Sequence, residues 1–143
     1  MNDLNQAKSL LYGDKRIVLV KDNKILTSNA RGISPMLNFI LQGENLQGFS
    51  LADKIVGKAA ALLFVKAKIK NVYAKLISKS AIDVLKKAQI FVEYETMVET
   101  IINRDKTGTC PMEQCVMNVD DCEIAFTLLL EKYNLLKNTK IGQ

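Results

Sequence analysis

Residues 51–67 read LADKIVGKAAALLFVKA, and this apolar stretch decides the fold. Ser50 and Asp53 resemble a capping box, so we expect one helix over 51–67. After its first two turns the stretch is apolar almost all the way round, which is typical of a buried helix. Gly57 would then lie inside a helix at a cost of about 1 kcal/mol, which indicates close approach of a ligand or of backbone.

The segments on either side of this stretch carry alternating helix and strand signals. RIVLVKDNKILTS predicts two strands around a tight turn at Asp22-Asn23. A hairpin followed by a β-α-β crossover predicts an α/β fold with three α/β/α layers and a mixed sheet. The other expected elements are helices over about 4–12, 34–43, 78–88 and 120–137, strands over NVYAKLIS and IFVEYETMV, and a loop over 103–118.

Length and composition predict a single domain over residues 1–143 with one core. No apolar run reaches the ~18 residues that span a bilayer, and the N-terminus lacks a signal-peptide pattern. We therefore expect a cytoplasmic protein with no membrane partner. The three cysteines fit reduced thiols. Lysines spread along the chain give the net charge of +5, which predicts a solvated surface and not a nucleic-acid-binding face.

Two motifs resemble a family of small prokaryotic proteins that is known only as a domain of unknown function. The motifs are DKIVGKAAA at 53–61 and NRDKTGTCPME at 103–113, and the resemblance covers roughly residues 3–135. The family is assigned to the cytidine-deaminase-like fold, so the resemblance implies that fold for this chain. A buried alanine-rich helix after a hairpin is consistent with it.

Deaminase chemistry is not implied. The chain has no histidine, which excludes His-ligated zinc and Ser-His-Asp or Cys-His catalysis within one chain. By the resemblance, Lys58 stands where zinc deaminases have a histidine ligand, Ala60 where they have the proton-shuttling glutamate, and Ser78-Lys79-Ser80-Ala81 has no cysteine. The three cysteines are fewer than the four ligands of a closed zinc site or an iron–sulfur cluster, unless a dimer supplies more. We predict no metal, no cofactor and no hydrolytic deamination.

The segment around Cys110 is the first candidate site. Cys110 would cap a short helix, with Pro111 at its first position and Glu113 at its third. The positive helix end favours a thiolate, so Cys110 is a candidate nucleophile with Glu113 as acid–base or substrate ligand. The alternative is a small buried cysteine in a turn.

Basic and hydroxyl side chains supply the remaining candidates. Lys58 could reach an anion across a pocket or act as a base, and the alternative is that it extends to solvent. Arg104, Thr107 and Thr109 could hold a phosphate or carboxylate, and the alternative is an ordinary polar turn. The resemblance implies a ligand role for Arg31.

These features lead to one hypothesis and one alternative. The hypothesis is that the protein binds a small anionic or nucleotide-like ligand, with Cys110-dependent catalysis as the finer prediction. The alternative is a non-catalytic ligand-binding or protein-interaction module, with a homodimer through a sheet or helix face left open. The candidate catalytic residues are Cys110, Glu113 and Lys58, and the candidate ligand contacts are Arg31, Arg104, Thr107 and Thr109.

Overall fold

A computed structural model describes residues 2–30, 32–101 and 110–141, with side chains described through residue 137. The chain begins with a helix and a hairpin and continues with alternating strands and helices. The elements are α1 (Asp3–Leu10), β1 (Ile17–Lys21), β2 (Lys24–Ser28), α2 (Ser34–Leu41), β3 (Ser50–Val56), α3 (Lys58–Ala67), β4 (Asn71–Ser78), α4 (Lys79–Lys87), β5 (Phe91–Val98), α5 (Pro111–Cys115) and α6 (Cys122–Ile141).

The strands form one five-stranded mixed sheet in the order β2-β1-β3-β4-β5. β1 pairs antiparallel with β2 and with β3, whereas β3, β4 and β5 run parallel. The hairpin turns at Asp22, whose positive φ of 55° suits the tight connection between Lys21 and Lys24. The predicted hairpin, mixed sheet and α/β class are therefore confirmed.

Helices cover both faces of the sheet and complete the three layers. Leu4 and Ala7 of α1 pack on Val18, Ala52 and Tyr73 of the strands. On the other face, α2, α3, α4 and α6 enclose the larger core, whose fully buried members include Leu37, Leu63, Phe64, Leu85 and Leu129. Two parallel crossovers place α3 and α4 on this same face, as right-handed connections require.

The prediction of a single helix over 51–67 is wrong in its first half. Residues 50–56 form β3, which pairs with β1 and β4, and α3 begins only at Lys58. Because a central strand buried on both faces is apolar throughout, its sequence resembles that of a buried helix. The predicted capping box at Ser50 does not exist, and Gly57 caps α3 from outside the helix.

A single helix over 51–67 would have placed Lys54 and Lys58 one turn apart on one face, but the two lysines lie in different elements. Lys54 lies in β3, and its amine donates a hydrogen bond of 2.6 Å to the carbonyl of Gly13 beyond the end of α1. Lys58 is the first residue of α3.

Candidate functional site

The N-terminus of α3 is capped by a carboxylate from a distant segment. The backbone N–H of Lys58 donates to Oε1 of Glu113 at 2.7 Å, and the N–H of Ala59 donates to Oε2 at 2.8 Å. Gly57, the residue at the cap position, has no side chain to serve this purpose. Glu113 therefore satisfies two unpaired helix donors and places negative charge at the positive end of the helix dipole.

Gly57 is required here for space and not for backbone freedom. Its φ of −101° and ψ of −177° are open to any residue. A Cβ atom added to Gly57 would lie 2.4 Å from Oε1, 2.5 Å from Cδ and 2.7 Å from Oε2 of Glu113. The expected close approach at Gly57 is therefore present, but the approaching group is a side-chain carboxylate.

Beside this cap lies a cavity of about 770 Å³, which we call the site cavity. Its wall combines the start of β1, the entry to α2, the second half of β3, the start of α3, α5 and the last turns of α6. Most of the wall is apolar. The polar and charged residues on it are Arg16, Ser34, Asp53, Lys54, Cys110, Glu113, Tyr133 and Lys137.

Cys110 lies on the wall of the site cavity at the N-cap of α5, with Pro111 at the start of the helix as the sequence indicates. Its backbone N–H donates to the carbonyl of Ile101 at 3.1 Å, and its carbonyl accepts the N–H of Gln114 at 3.0 Å. The side chain is partly exposed and its thiol is free. These contacts fix the backbone of Cys110 at the wall of the site cavity.

Lys58 occupies a different place from the one proposed for it. Its amine donates to the carbonyl of Met117 at 3.1 Å and pairs with Oδ1 of Asp120 at 3.3 Å. Its side chain is only 11% exposed, and Lys58 is not among the residues that line the site cavity. Of the three candidate catalytic residues, the structure therefore brings Cys110 and Glu113 together on the cavity wall and ties Lys58 to the segment after α5.

The four candidate ligand contacts Arg31, Arg104, Thr107 and Thr109 lie outside the described residues. Their roles stay predictions.

Asp53 is a site residue that sequence reasoning missed. It lies in β3 on the wall of the site cavity and is only 9% exposed. Burial raises the pKa of Asp53 to about 7, although the backbone N–H groups of Ile55 and Lys54 and the nearby Arg16 guanidinium oppose the shift. An acid directly after the apolar residues Leu51 and Ala52 was the available signal, and the assignment of 50–53 to a capping box concealed it.

The other two thiols differ from Cys110 in their surroundings. Burial raises the pKa of Cys115, with Lys132 opposing and Glu131 adding to the shift. Burial also raises the pKa of Cys122, reinforced by Glu123 and Asp121. Within the described ranges, no three His, Cys, Asp or Glu residues are grouped so that they could hold a metal ion.

Comparison with known proteins connects the chain to one family. The sequence pattern of the domain of unknown function DUF1893 matches residues 5–133. The crystal structure of a DUF1893-family protein from Thermotoga maritima is similar with a TM-score of 0.84 and 29% identity, over 92% of this chain and 90% of that one. A dCMP deaminase from the cyanophage S-TIM5, in its apo form, aligns with a TM-score of 0.44 and 18% identity, over 64% of this chain and 93% of that one. No curated protein matches the chain.

The cap on α3 can be tested with a double-mutant cycle between Gly57 and Glu113. Glu113→Ala should lower the free energy of unfolding by about 1–3 kcal/mol, because two helix donors lose their acceptor. Gly57→Ala should destabilise by a similar amount, because its methyl group displaces the carboxylate. In the Glu113→Ala background the same substitution should be neutral or stabilising by about 0.4–1 kcal/mol, since alanine fits the backbone there. Urea unfolding of the four proteins measures the coupling, and additive effects would contradict it.

The buried carboxyl predicts a pH-dependent stability difference between the wild type and Asp53→Asn. A carboxyl whose pKa is raised on folding binds its proton more tightly in the folded state. Its contribution to the free energy of unfolding is therefore largest below pH 4 and is lost as pH rises through about 7. Asp53→Asn removes this loss. Its stability relative to the wild type should therefore increase by about 2–3 kcal/mol between pH 5 and pH 8, as followed by urea unfolding. A difference that does not vary with pH would show that Asp53 titrates normally.

Proposed function

The chain belongs to the DUF1893 family, whose function is unknown, and from that starting point we propose that it binds a small anionic or nucleotide-like ligand in the site cavity. The observation that supports this most is the cavity itself, whose wall includes Cys110 of α5 and Asp53 of β3. Its volume of about 770 Å³ falls within the range of small-molecule sites.

The lining of the site cavity is suited to a ligand with an apolar body and a charged end. Ile17, Ile33, Met112 and Leu136 provide apolar surface for a ring or chain. Arg16 and Lys137 provide cations for an anionic group. Because Glu113 already occupies the N-terminus of α3, the anionic group of the ligand would bind at these cations and not at the helix end.

Cys110-dependent catalysis is the finer part of the proposal. The sulfur of Cys110 would bond to an electrophilic carbon of the ligand, and the bond from that carbon to the leaving group would break. The thiol proton would pass to the Glu113 carboxylate and from there to the leaving group. Water would then cleave the new sulfur–carbon bond and return the proton to the thiol. What supports this is that Cys110 lies at a helix N-cap and on the cavity wall.

A non-catalytic ligand-binding module is the second candidate, and two contacts favour it. The amine of Lys58 is paired away from the site cavity, and both oxygens of Glu113 serve the α3 cap. Two of the three groups predicted to carry catalysis therefore have structural partners.

Self-association is the remaining part of that alternative. β5 is the last strand at one side of the sheet, and Phe91, Tyr94 and Met97 on it are 61%, 43% and 46% exposed. Exposed apolar residues on an edge strand are suited to pairing with a second copy.

No helix in the described part of the chain combines the length and apolarity needed to cross a bilayer. The cytoplasmic location stays a prediction.

Cys110 should be the most reactive of the three thiols. At pH 7 it should react with iodoacetamide at least about tenfold faster than Cys115 and Cys122, whose pKa values burial raises. Peptide mass spectrometry after timed quenching gives the three rates. Cys110→Ser should fold normally and lose only the fast phase. Equal rates for all three thiols would favour the non-catalytic module.

The edge strand can be tested by sedimentation velocity. The wild type should form a dimer at about 100 µM protein, and Tyr94→Lys should shift it to a monomer, because a lysine on an edge strand opposes pairing. Ile124→Lys, at a residue 55% exposed on α6, is the matched control and should leave the dimer intact. A wild type that sediments as a monomer would end the dimer proposal.

A further inference from the structure

Asp53 lies where an ionised side chain is costly. Its cross-strand neighbours are Ile17 on β1 and Ala74 on β4, and both belong to the larger core. The residues before it in β3, Leu51 and Ala52, are fully buried and apolar. A carboxylate in such surroundings loses its hydration, and ordinarily only close pairing compensates for this.

The fold gains little from the Asp53 carboxyl. Its Oδ1 accepts a hydrogen bond of 3.4 Å from the N–H of Ile55, two residues away in the same strand, which is long for such a bond. The ion pairs found among the described residues do not include Asp53. The Lys54 N–H and the Arg16 guanidinium also face the carboxyl, but they do not offset the cost of its burial. A buried acid of this kind on the wall of a cavity is typical of a functional group.

We propose that Asp53 determines the specificity of the site cavity by accepting two adjacent N–H groups from an uncharged planar edge of the ligand, such as that of a 2-amino-oxo heterocycle. This inference rests on the proposed function, which places a ligand in the site cavity. It adds the chemistry of the ligand end that contacts Asp53. The anionic end of the same ligand would lie away from Asp53, toward Lys137 on α6.

The donor pattern follows from what a carboxylate offers. Its two oxygens accept but do not donate, and their spacing matches two parallel N–H groups. A planar edge with both donors would add two hydrogen bonds to those from the backbone N–H groups that already face Asp53. The ligand edge does not need to be a cation, because the Arg16 guanidinium already supplies positive charge near Asp53.

Binding of such an edge requires the ionised carboxylate, so affinity should depend on pH. With a pKa of about 7, Asp53 is half ionised near neutrality and becomes largely ionised only at higher pH. Ligands that present N–H donors to Asp53 should therefore bind more tightly as pH rises. The other titratable or charged groups on the cavity wall are Arg16 just before β1, Lys54 on β3, Cys110 at the N-cap of α5, Glu113 within α5, and Tyr133 and Lys137 on α6.

Guanosine and inosine monophosphate are a matched pair of probes, because they share the phosphate and sugar and differ by one exocyclic amine. Isothermal titration calorimetry at pH 8 should show guanosine monophosphate binding at least about tenfold more tightly, since its edge carries both donors. Its affinity should fall about tenfold more than that of inosine monophosphate from pH 8 to pH 6, as Asp53 becomes protonated. Inosine monophosphate corrects for titration of the shared phosphate.

Asp53→Asn is the decisive variant and Asp83→Asn, an exposed acid on α4, is its matched control. Asp53→Asn should abolish the preference between the two nucleotides and its pH dependence, whereas Asp83→Asn should keep both. Equal binding of the two nucleotides by the wild type would overturn the role of Asp53 and leave the proposed function standing. Binding of neither nucleotide at millimolar concentration would overturn both.

Discussion

The contact between the Glu113 carboxylate and the first N–H groups of α3 is the interaction on which the rest of the site depends. It joins residues 55 positions apart in the chain and holds α5 against the N-terminus of α3. α5 has only five residues and none is fully buried, and its packing consists of Met112 and Cys115, which lie partly buried against the larger core. A charge-assisted cap on a helix dipole is worth about 1–2 kcal/mol, which is substantial for so short an element. Cys110 is held at the site cavity because the residue three positions after it is anchored in this way.

The same region concentrates most of the chemistry that the chain has available. The site cavity lies near the carboxyl end of β3, where the strand ends and the N-terminus of α3 begins. In α/β sheets, ligands bind outside the carboxyl ends of strands, because helix N-termini and loops converge there. Here the helix end is already occupied by an internal carboxylate. The remaining groups on the wall include the Cys110 thiol, the buried Asp53 and the cations Arg16 and Lys137, which is the basis for proposing a ligand with two chemically different ends.

Several features of the fold could be predicted from local sequence and others could not. The hairpin around Asp22 and the short helix after Cys110 follow from turn and cap residues within a few positions of each other, and both are present. β3 was mistaken for a helix because burial on both faces removes the polar positions that reveal a strand period. Because the strand was not recognised, Gly57 was placed inside a helix and Asp53 was interpreted as part of a capping box. The pairing of Lys58 with Asp120 depends on packing that no local pattern records.

The sequence by itself determined which chemistry is absent and which is available: with no histidine, imidazole takes no part, and sulfur, amine and carboxylate groups remain. It also predicted that some group approaches Gly57 closely, although from a position inside a helix that the structure does not have. Only the tertiary structure decided that the group approaching Gly57 is the Glu113 carboxylate, and that the acid buried in the cavity wall is Asp53. The physical reason is that residue type is a local property, whereas burial, pairing and the resulting pKa depend on which distant segments pack together.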